Sequence, residues 1–214
     1  AKKRGKSQFG TLGAGNHFLE IQVVDKILNP VAAKAFGLHE GQITVMIHCG
    51  SRGYGHQICT DNLGSMLGLA QKMNLWLPDK ELVYAPLNTP EAKNYMDGMR
   101  CAVNFAFTNR HIIAHWTRET FGQVFGKSVG DNMPLLYDVA HNIAKFEEHN
   151  VDGKRRKLIV HRKGATRAFP AGREELPPVY RSIGQPVLIP GSMGTSSYIL
   201  VGNQKGLDVS WGTT

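Results

Sequence analysis

The sequence has no apolar run close to the ~20 residues that a membrane-spanning helix needs, and no basic-then-apolar leader at its start. These absences argue against a membrane protein and against a secreted one. Cysteine is also scarce: Cys49, Cys59 and Cys101 are an odd number without a Cys-x-x-Cys pair, so neither a disulfide framework nor a zinc ribbon is expected. We therefore expect a cytoplasmic protein with reduced thiols.

Acidic residues are outnumbered, with 17 Asp and Glu against 25 Lys and Arg, for a formal net charge of +8 and a pI of about 9.5. This balance favours a polyanionic partner such as nucleic acid, or a substrate that carries phosphate. Charge alone does not establish nucleic-acid binding, because many basic proteins bind no nucleic acid. The cations cluster at residues 2–6, 154–163 and 167–173, and several of the 9 histidines stand beside Gly, Asn or Ser.

Hydrophobic patterning predicts an α+β fold with long helices and mixed, mostly antiparallel strands, in a single domain over residues 1–214. Helices are expected at residues 56–73 and from Thr89-Pro90, a cap followed by proline, to about residue 121. An Asp-Gly turn predicts a hairpin, and residues 25–41 are a loop or a short helix. The predicted strands are residues 17–24, 43–47 (a buried type), 143–150, 155–161, 186–189 and 197–201.

Two glycine-rich segments are candidate phosphate sites. Residues 10–20 read GTLGAGNHFLE, where closely spaced glycines let a backbone approach an anion. The spacing differs from the dinucleotide-binding GxGxxG, and a tight turn with a structural Asn-His pair explains it equally well. Residues 48–56, HCGSRGYGH, follow a predicted strand; His48 could bind a metal and Arg52 a phosphate, although a capping turn is the simpler alternative.

Three further segments carry weaker signals. His141-Asn142 ends an apolar run near Lys145, and such a pair is more often structural. Residues 160–167, VHRKGATR, place three cations around a Gly-Ala-Thr turn, an arrangement that suits an oxyanion or simply a solvated surface. Residues 190–197, PGSMGTSS, form a loop of small residues that could hold a nucleotide or be a plain β-turn.

Two motif-like segments do not support function. Residues 122–128, GQVFGKS, resemble a phosphate loop but have one residue too few between the glycines and follow a helix rather than a strand. His111 and His115 have the spacing of a helical metal pair but lack the acid of HExxH.

Taken together, five segments in order closely resemble the RtcB family of RNA ligases. They read GTLGAGNHFLEIQ, MIHCGSRGYGHQ, YDVAHNIAK, VHRKGATRAFP and GQPVLIPGSMGTSSY. The resemblance implies a GTP- and Mn²⁺-dependent enzyme that joins an RNA 2′,3′-cyclic phosphate or 3′-phosphate end to a 5′-hydroxyl end. A histidine first takes the guanylate from GTP and passes it to the RNA phosphate, so that the chemistry is activated phosphoryl transfer.

The resemblance also implies roles for individual residues of this sequence. It implies Mn²⁺ ligands at His17, His48 and His141, and contacts to the phosphate of the RNA end from Arg52 and Lys163. It implies that GTP is bound by Asn16, His17, Phe18, Leu19, Glu20, His141, Asn142, Pro190, Gly191, Ser192, Met193 and Ser197. The implied partners are RNA, as tRNA halves or broken ends, and an activator of the archease type.

The 214 residues lack parts of the family pattern. An Asp-x-Gly-Cys segment with two further metal ligands belongs upstream, and the guanylate-accepting histidine, in His-Gly-Ala-Gly-Arg, belongs directly after Thr214. Cys49 is not a substitute for the upstream cysteine. We therefore expect the central part of a ligase that forms no covalent guanylate by itself. A metal-dependent phosphoesterase and a non-catalytic RNA-binding fragment are the alternatives.

Overall fold

The computed structural model describes residues 1–214 and contains six α-helices and six β-strands. The helices are α1 (Lys2–Gly5), α2 (Pro30–Phe36), α3 (Arg52–Lys72), α4 (Pro90–Phe125), α5 (Lys127–Asp131) and α6 (Gln204–Ser210). The strands are β1 (Phe18–Val23), β2 (Ile43–His48), β3 (Asn142–Val151), β4 (Lys154–Lys163), β5 (Pro186–Ile189) and β6 (Tyr198–Val201). Short 3₁₀ turns lie at Lys6–Gln8, Lys80–Leu82 and Pro178–Tyr180.

The strands form three two-stranded sheets, β1–β2, β3–β4 and β5–β6, and the second and third of these are antiparallel. Long helices beside small sheets confirm the predicted α+β class. None of the helices is long and apolar enough to cross a membrane.

The chain folds into two compact units. Unit 1 contains Ala1–Gln22 and Val45–Pro134, and unit 2 contains Val23–Thr44 and Leu135–Thr214. That residues 1–214 form the central part of one catalytic domain stays a prediction.

Unit 1 is built on α4, which packs against α3. Its first turn has the predicted cap, because the Thr89 hydroxyl accepts a hydrogen bond from the Ala92 N–H at 3.2 Å and Pro90 occupies the first helical position. Phe105 of α4 is buried and stacks between Phe9, at 4.0 Å between ring centroids, and Tyr54, at 4.9 Å. These rings hold the N-terminal segment and the start of α3 on one face of α4.

Helix α3 begins one turn earlier than predicted. The sequence placed its start at His56, but Arg52 is the first helical residue and has a positive φ of 51°. The glycines at 53 and 55, which argue against a helix by propensity, are inside its first turn. Packing against α4 therefore overrides the local preference.

The β3–β4 hairpin in unit 2 confirms the prediction made from the Asp-Gly turn. Its register runs from Asn142 opposite Lys163 to Val151 opposite Lys154. Asp152 and Gly153 both have positive φ, 51° and 73°, which is the geometry of a type I′ turn. This turn continues the twist of the two strands, and both are longer than predicted.

The core of unit 2 surrounds Phe169, which is fully buried. The Phe169 N–H donates a hydrogen bond to the side-chain oxygen of Gln185 at 3.2 Å. The Phe169 carbonyl accepts one from the Gln185 backbone N–H at 2.9 Å. Arg167 and Arg173 lie over the Phe169 ring at 4.7 and 4.3 Å. A second cluster joins Phe36 of α2 to Tyr180, with ring centroids 5.5 Å apart.

Two details of the sequence prediction need correction. Strand β2 is only half-buried, and its first residue, Ile43, is 57% exposed, so the buried-strand interpretation is wrong. Residues 25–41, predicted to be a loop or a short helix, contain the short helix α2 with an Asn29 cap, so the second alternative is confirmed. Helices α1, α5 and α6 were not predicted, because four, five and seven residues carry too little periodicity.

Replacing Phe169 with alanine should destabilise the fold by about 3–5 kcal/mol, because it removes a fully buried ring and leaves a cavity. Urea unfolding followed by circular dichroism measures the loss. The matched control is Phe146→Ala on β3, where the ring is 48% exposed and the cost should stay below about 1 kcal/mol. Equal losses in the two variants would contradict this account of the core.

Candidate active site

The two glycine-rich segments of unit 1 are held by one side chain, Asn109 of α4, which is fully buried. Its Oδ1 accepts hydrogen bonds from the N–H groups of Gly10 at 2.7 Å and Thr11 at 3.3 Å. Its Nδ2 faces the carbonyls of Thr11 at 3.1 Å and Gly50 at 3.3 Å. Asn109 therefore fixes the segment before β1 against the segment after β2.

No motif marks Asn109, but its position carries a signal. It lies between Phe105 and Ile113 at steps of four residues, in the buried stripe of α4. A carboxamide in such a stripe must find partners for both its oxygen and its nitrogen. Here the partners are N–H and C=O groups of the two loops. These backbone groups are available because the loops are not part of a helix or a sheet.

His17 and His48 are brought together by this arrangement. His17 directly precedes β1 and His48 ends β2, and their rings are nearly perpendicular, with centroids 6.0 Å apart. The His17 ring lies against Gly13, where any side chain would collide with the ring nitrogen Nδ1. A larger residue at this position would therefore force the imidazole of His17 to move.

His17 has the protonation state that a metal ligand needs. Burial lowers the pKa of His17, and the positive charge of Arg52 lowers it further, which outweighs a smaller opposite effect from the Ala14 backbone. The ring is therefore neutral at pH 7 and has a lone pair. Its Nδ1 is buried and makes no hydrogen bond of normal geometry.

This donor set fits a borderline divalent metal in part. Imidazole is a common ligand of divalent transition metals, and the rings of His17 and His48 lie side by side in unit 1. No group of three or more His, Cys, Asp or Glu side chains gathers anywhere in residues 1–214. His141, the third predicted ligand, belongs to unit 2.

Arg52 lies beside the histidine pair at the start of α3. Its Nε donates to the Thr11 hydroxyl at 3.2 Å, which orients the guanidinium, and no carboxylate forms an ion pair with it. Its left-handed backbone is unusual for a residue with a side chain and costs of order 1 kcal/mol. An oriented cation without a carboxylate partner is suited to an anion such as phosphate.

The other predicted residues of unit 1 follow His17 along β1. Phe18 meets the edge of the His48 ring, with centroids 5.4 Å apart, and Glu20 accepts a hydrogen bond from Gln22 at 2.8 Å. Phe18 and Glu20 share one face of the strand, whereas Leu19 is on the opposite face. Asn16 is exposed in the loop before His17.

Unit 2 brings together three other predicted residues at the open end of the β3–β4 hairpin. Asn142 is directly opposite Lys163, and His141 is the residue before Asn142. The Asn142 side chain accepts a hydrogen bond from the Gly164 N–H at 3.0 Å, which closes this end of the hairpin. Lys163 is exposed there.

The remaining predicted residues form the loop between β5 and β6. Ser197 accepts a hydrogen bond from the Gly191 N–H at 3.0 Å, and Thr195 donates to the Ser192 carbonyl at 2.8 Å. Met193 is 98% exposed at the tip. The loop is thus ordered by its own hydroxyls and presents an exposed apolar side chain.

A buried ionic network in unit 2 was not predicted. Arg162 on β4 donates two hydrogen bonds to the Glu147 carboxylate, at 2.7 and 2.9 Å, and His149 lies 2.9 Å from the same carboxylate. Arg162 also donates to the Trp211 carbonyl at 3.3 Å and to the Thr213 hydroxyl at 3.0 Å. The network therefore fixes the last residues of the chain against the hairpin.

The two motif-like segments do not have the geometry of a functional site. Residues 122–128 span the end of α4, Gly126 and the start of α5 rather than a strand-to-helix turn. His111 and His115 are exposed on α4, and His115 contacts Trp116. All three cysteines are free, and Cys49 is buried beside Asn109, with its Sγ 3.4 Å from Nδ2.

Comparison with known proteins shows the family of this chain. The family model described as tRNA-splicing ligase RtcB matches residues 1–214. The chain belongs to the RtcB family. A relative named tRNA-splicing ligase RtcB from Archaeoglobus fulgidus is 59% identical over the whole chain, which covers 45% of that protein.

Other relatives with the name tRNA-splicing ligase RtcB have similar sequence identities to this chain. The chain is 57% identical to the Aeropyrum pernix protein and covers 44% of it. It is 56% identical to the Pyrococcus horikoshii protein and covers 25% of it. The chain thus spans less than half the length of these RtcB relatives.

Replacing Asn109 with alanine should lower the stability of unit 1 by about 3 kcal/mol, because the buried N–H and C=O groups of both loops lose their partner. Denaturant unfolding measures this. Asn104→Ala is the control, since Asn104 is exposed on the same helix and should cost less than about 0.5 kcal/mol. A loss below about 1 kcal/mol at Asn109 would show that the loops do not depend on it.

The stabilising effect of Glu147 should depend on pH. Burial alone would raise the pKa of Glu147, but its hydrogen bonds with Arg162 and His149 outweigh burial and hold the pKa below its usual value. A carboxyl with a lowered pKa stabilises the fold above its unfolded pKa, and the stabilisation disappears as the pH falls through the folded pKa.

Glu147→Gln should therefore cost about 3–5 kcal/mol at pH 7, where Arg162 loses its buried counter-charge. The difference from the unsubstituted protein should shrink below pH 4. Urea unfolding at pH 7, 5 and 3.5 measures it, with Glu148→Gln at the exposed neighbour as control. A difference that does not change with pH would show that the ionised carboxylate is not what matters.

Proposed function

We propose that this chain supplies a large part of the catalytic centre of a GTP- and Mn²⁺-dependent RNA ligase. The reaction joins an RNA end with a 2′,3′-cyclic phosphate or 3′-phosphate to a 5′-hydroxyl end, as in tRNA splicing or RNA repair. The observation that carries the proposal is the match of residues 1–214 to the RtcB family. The grouping of neutral His17 with His48 and Arg52 supports it.

The proposed metal ligands are His17, His48 and His141. A divalent ion bound by them would neutralise phosphate charge and favour attack at phosphorus. The part that the chain itself plays is to keep His17 neutral, by burial and by the charge of Arg52, and to aim its ring by packing against Gly13. These features keep the imidazole available as a ligand at pH 7.

Arg52 and Lys163 are proposed to hold the phosphate of the RNA end. Arg52 is oriented by Thr11 and has no carboxylate partner, so its terminal nitrogens can form two parallel hydrogen bonds to phosphate oxygens. Lys163 adds an exposed point charge, and Asn142 fixes the backbone beside it. Both cations would offset the negative charge that gathers on the reacting phosphate.

GTP is proposed to lie against residues 16–20, His141, Asn142 and the loop at residues 190–197. The hydroxyls of that loop hold its backbone in one conformation before the nucleotide arrives, which lowers the entropic cost of binding. The histidine that accepts the guanylate is expected directly after Thr214. RNA and an archease-type activator are the proposed partners, in a reducing cytoplasm.

Ligation by a protein that carries this chain at the full length of its relatives tests the proposal. The substrates are one RNA with a 3′-phosphate and one with a 5′-hydroxyl, with Mn²⁺ and either GTP, ATP or no nucleotide. We expect joined product with GTP alone. Metal-dependent hydrolysis without any nucleotide requirement would instead indicate a phosphoesterase, and RNA binding without either reaction would indicate a non-catalytic protein.

Substitutions in the same protein separate the proposed roles. His17→Ala should lower ligation more than about 100-fold, and Arg52→Ala by roughly 10²–10³-fold, because each removes a group that stabilises charge at the phosphate. Arg52→Lys should recover only part of the activity, since it keeps the charge but loses the two-pronged contact. The control is His111→Ala on the exposed side of α4, which should ligate normally.

A further inference from the structure

The β3–β4 hairpin has two chemically different faces. Residues directly opposite each other in an antiparallel pair share a face, and alternate residues point to opposite sides. One face contains Glu147, His149, Val160 and Arg162, all of them buried. The opposite face begins with Asn142 and Lys163 and continues towards the turn.

This second face is exposed along most of its length and is rich in cations. We call it the exposed stripe, and it consists of Asn142, Ala144, Phe146, Glu148, Asn150, Arg155, Lys157, Ile159, His161 and Lys163. Arg155, Lys157, His161 and Lys163 are all exposed, whereas Ala144 is buried and Ile159 is half-buried. Glu148 is the single carboxylate on it, so positive charge predominates.

An aromatic ring is set among these cations. Phe146 is 48% exposed, and the Lys157 ammonium lies 5.3 Å from its ring centroid. Further along, Arg155 forms an ion pair with Glu148 at 2.5 Å. Exposed pairs of this kind contribute little to stability, so Arg155 is easily released to another anion.

The stripe leads away from the proposed phosphate contact. Arg155 and Lys163 are eight residues apart on β4, which is roughly 26 Å for a strand that rises ~3.3 Å per residue. Lys157 and His161 lie between them on the same face. A line of cations with an exposed aromatic ring is the pattern by which proteins bind single-stranded nucleic acid, with phosphates on the cations and a base stacked on the ring.

We propose that the exposed stripe binds the single-stranded RNA that leads into the ligation site. In this arrangement the terminal phosphate lies at Lys163, and the preceding nucleotides run along the hairpin towards Arg155. A base stacks on Phe146, and Lys157 and Arg155 contact the backbone. The polarity rests on the proposed function, because that function assigns the RNA end to Lys163.

RNA fits this face better than an acidic protein segment does. A protein partner of typical affinity buries an apolar centre, and the stripe offers only Phe146 as an exposed large apolar residue. Arg155, Lys157 and Lys163, on one face of a single strand, instead match the repeated negative charges of a nucleic-acid backbone. The chain as a whole, at +8, is also biased towards polyanions.

Equilibrium binding of a 5′-fluorescein-labelled, 10-nucleotide single-stranded RNA with a 3′-phosphate tests the proposal, measured by anisotropy from 50 to 300 mM salt. The test variant is Arg155→Gln with Lys157→Gln. We expect about tenfold weaker binding and a salt slope lower by roughly 1.4, which corresponds to two phosphate contacts on a single strand. Phe146→Leu should weaken binding several-fold by removing the stacking surface.

The matched control is Lys154→Gln with Arg156→Gln. It removes the same charge from the same strand, but on the other face, and both side chains are exposed. Its binding should change by less than about twofold. Equal weakening in the two double variants would mean that only overall charge matters and would overturn the proposal.

Glu148→Gln provides a test in the opposite direction. It releases Arg155 and removes the one carboxylate of the stripe, so RNA binding should become a few-fold tighter, a gain that damage to the fold cannot produce. Unchanged or weaker binding would count against the stripe. Displacement of the RNA by polyglutamate at equal charge would overturn the preference for RNA.

Absence of RNA binding by the unsubstituted chain at 50 mM salt would also overturn the inference. The proposed ligase activity is judged separately, by GTP-dependent joining. Binding of RNA by the stripe without GTP-dependent joining shows that the proposed function has failed. Joining without any contribution of the stripe to RNA binding shows that the inference about the stripe has failed.

Discussion

The buried carboxamide of Asn109 is the contact on which the candidate site of unit 1 depends. It is hydrogen-bonded to backbone groups at Gly10 and Thr11 and to the carbonyl of Gly50. Those two loops carry His17 and His48, and Thr11 in turn orients Arg52. Because glycine-rich loops have little conformational preference of their own, an external clamp is needed to keep the two rings and the guanidinium near one another.

In unit 2, a buried ionic network rather than a carboxamide holds distant segments of the chain together. Arg162 is wholly buried and is satisfied by Glu147 on β3 and by the Trp211–Thr213 segment. Such a network is expensive to desolvate and is stable only when each group has its partners, so it permits one arrangement of hairpin and C-terminal segment. With Arg162 directed inwards, its neighbours His161 and Lys163 are directed outwards, and this alternation creates the exposed stripe.

Much of the fold could be predicted from local patterns. The Asp-Gly turn predicted the hairpin, and Thr89-Pro90 predicted the start of α4, because both signals act within a few residues. Predictions failed where a distant partner decided the outcome. Packing on α4 starts α3 at Arg52 despite two glycines, and β2 is only half-buried where its apolar sequence suggested full burial.

The sequence by itself determined the family, the α+β class and the residues that form each motif. These properties depend on short segments and on their order along the chain, which can be read without the tertiary structure. Only the tertiary structure decided which motifs meet. It placed His17, His48 and Arg52 in one unit and Asn142 with Lys163 at one end of a hairpin, and it brought Asn109 and Arg162 to loops and strands far away in the chain. The physical reason is that buried polar groups must find hydrogen-bond partners wherever the fold provides them, and those partners are distant in sequence.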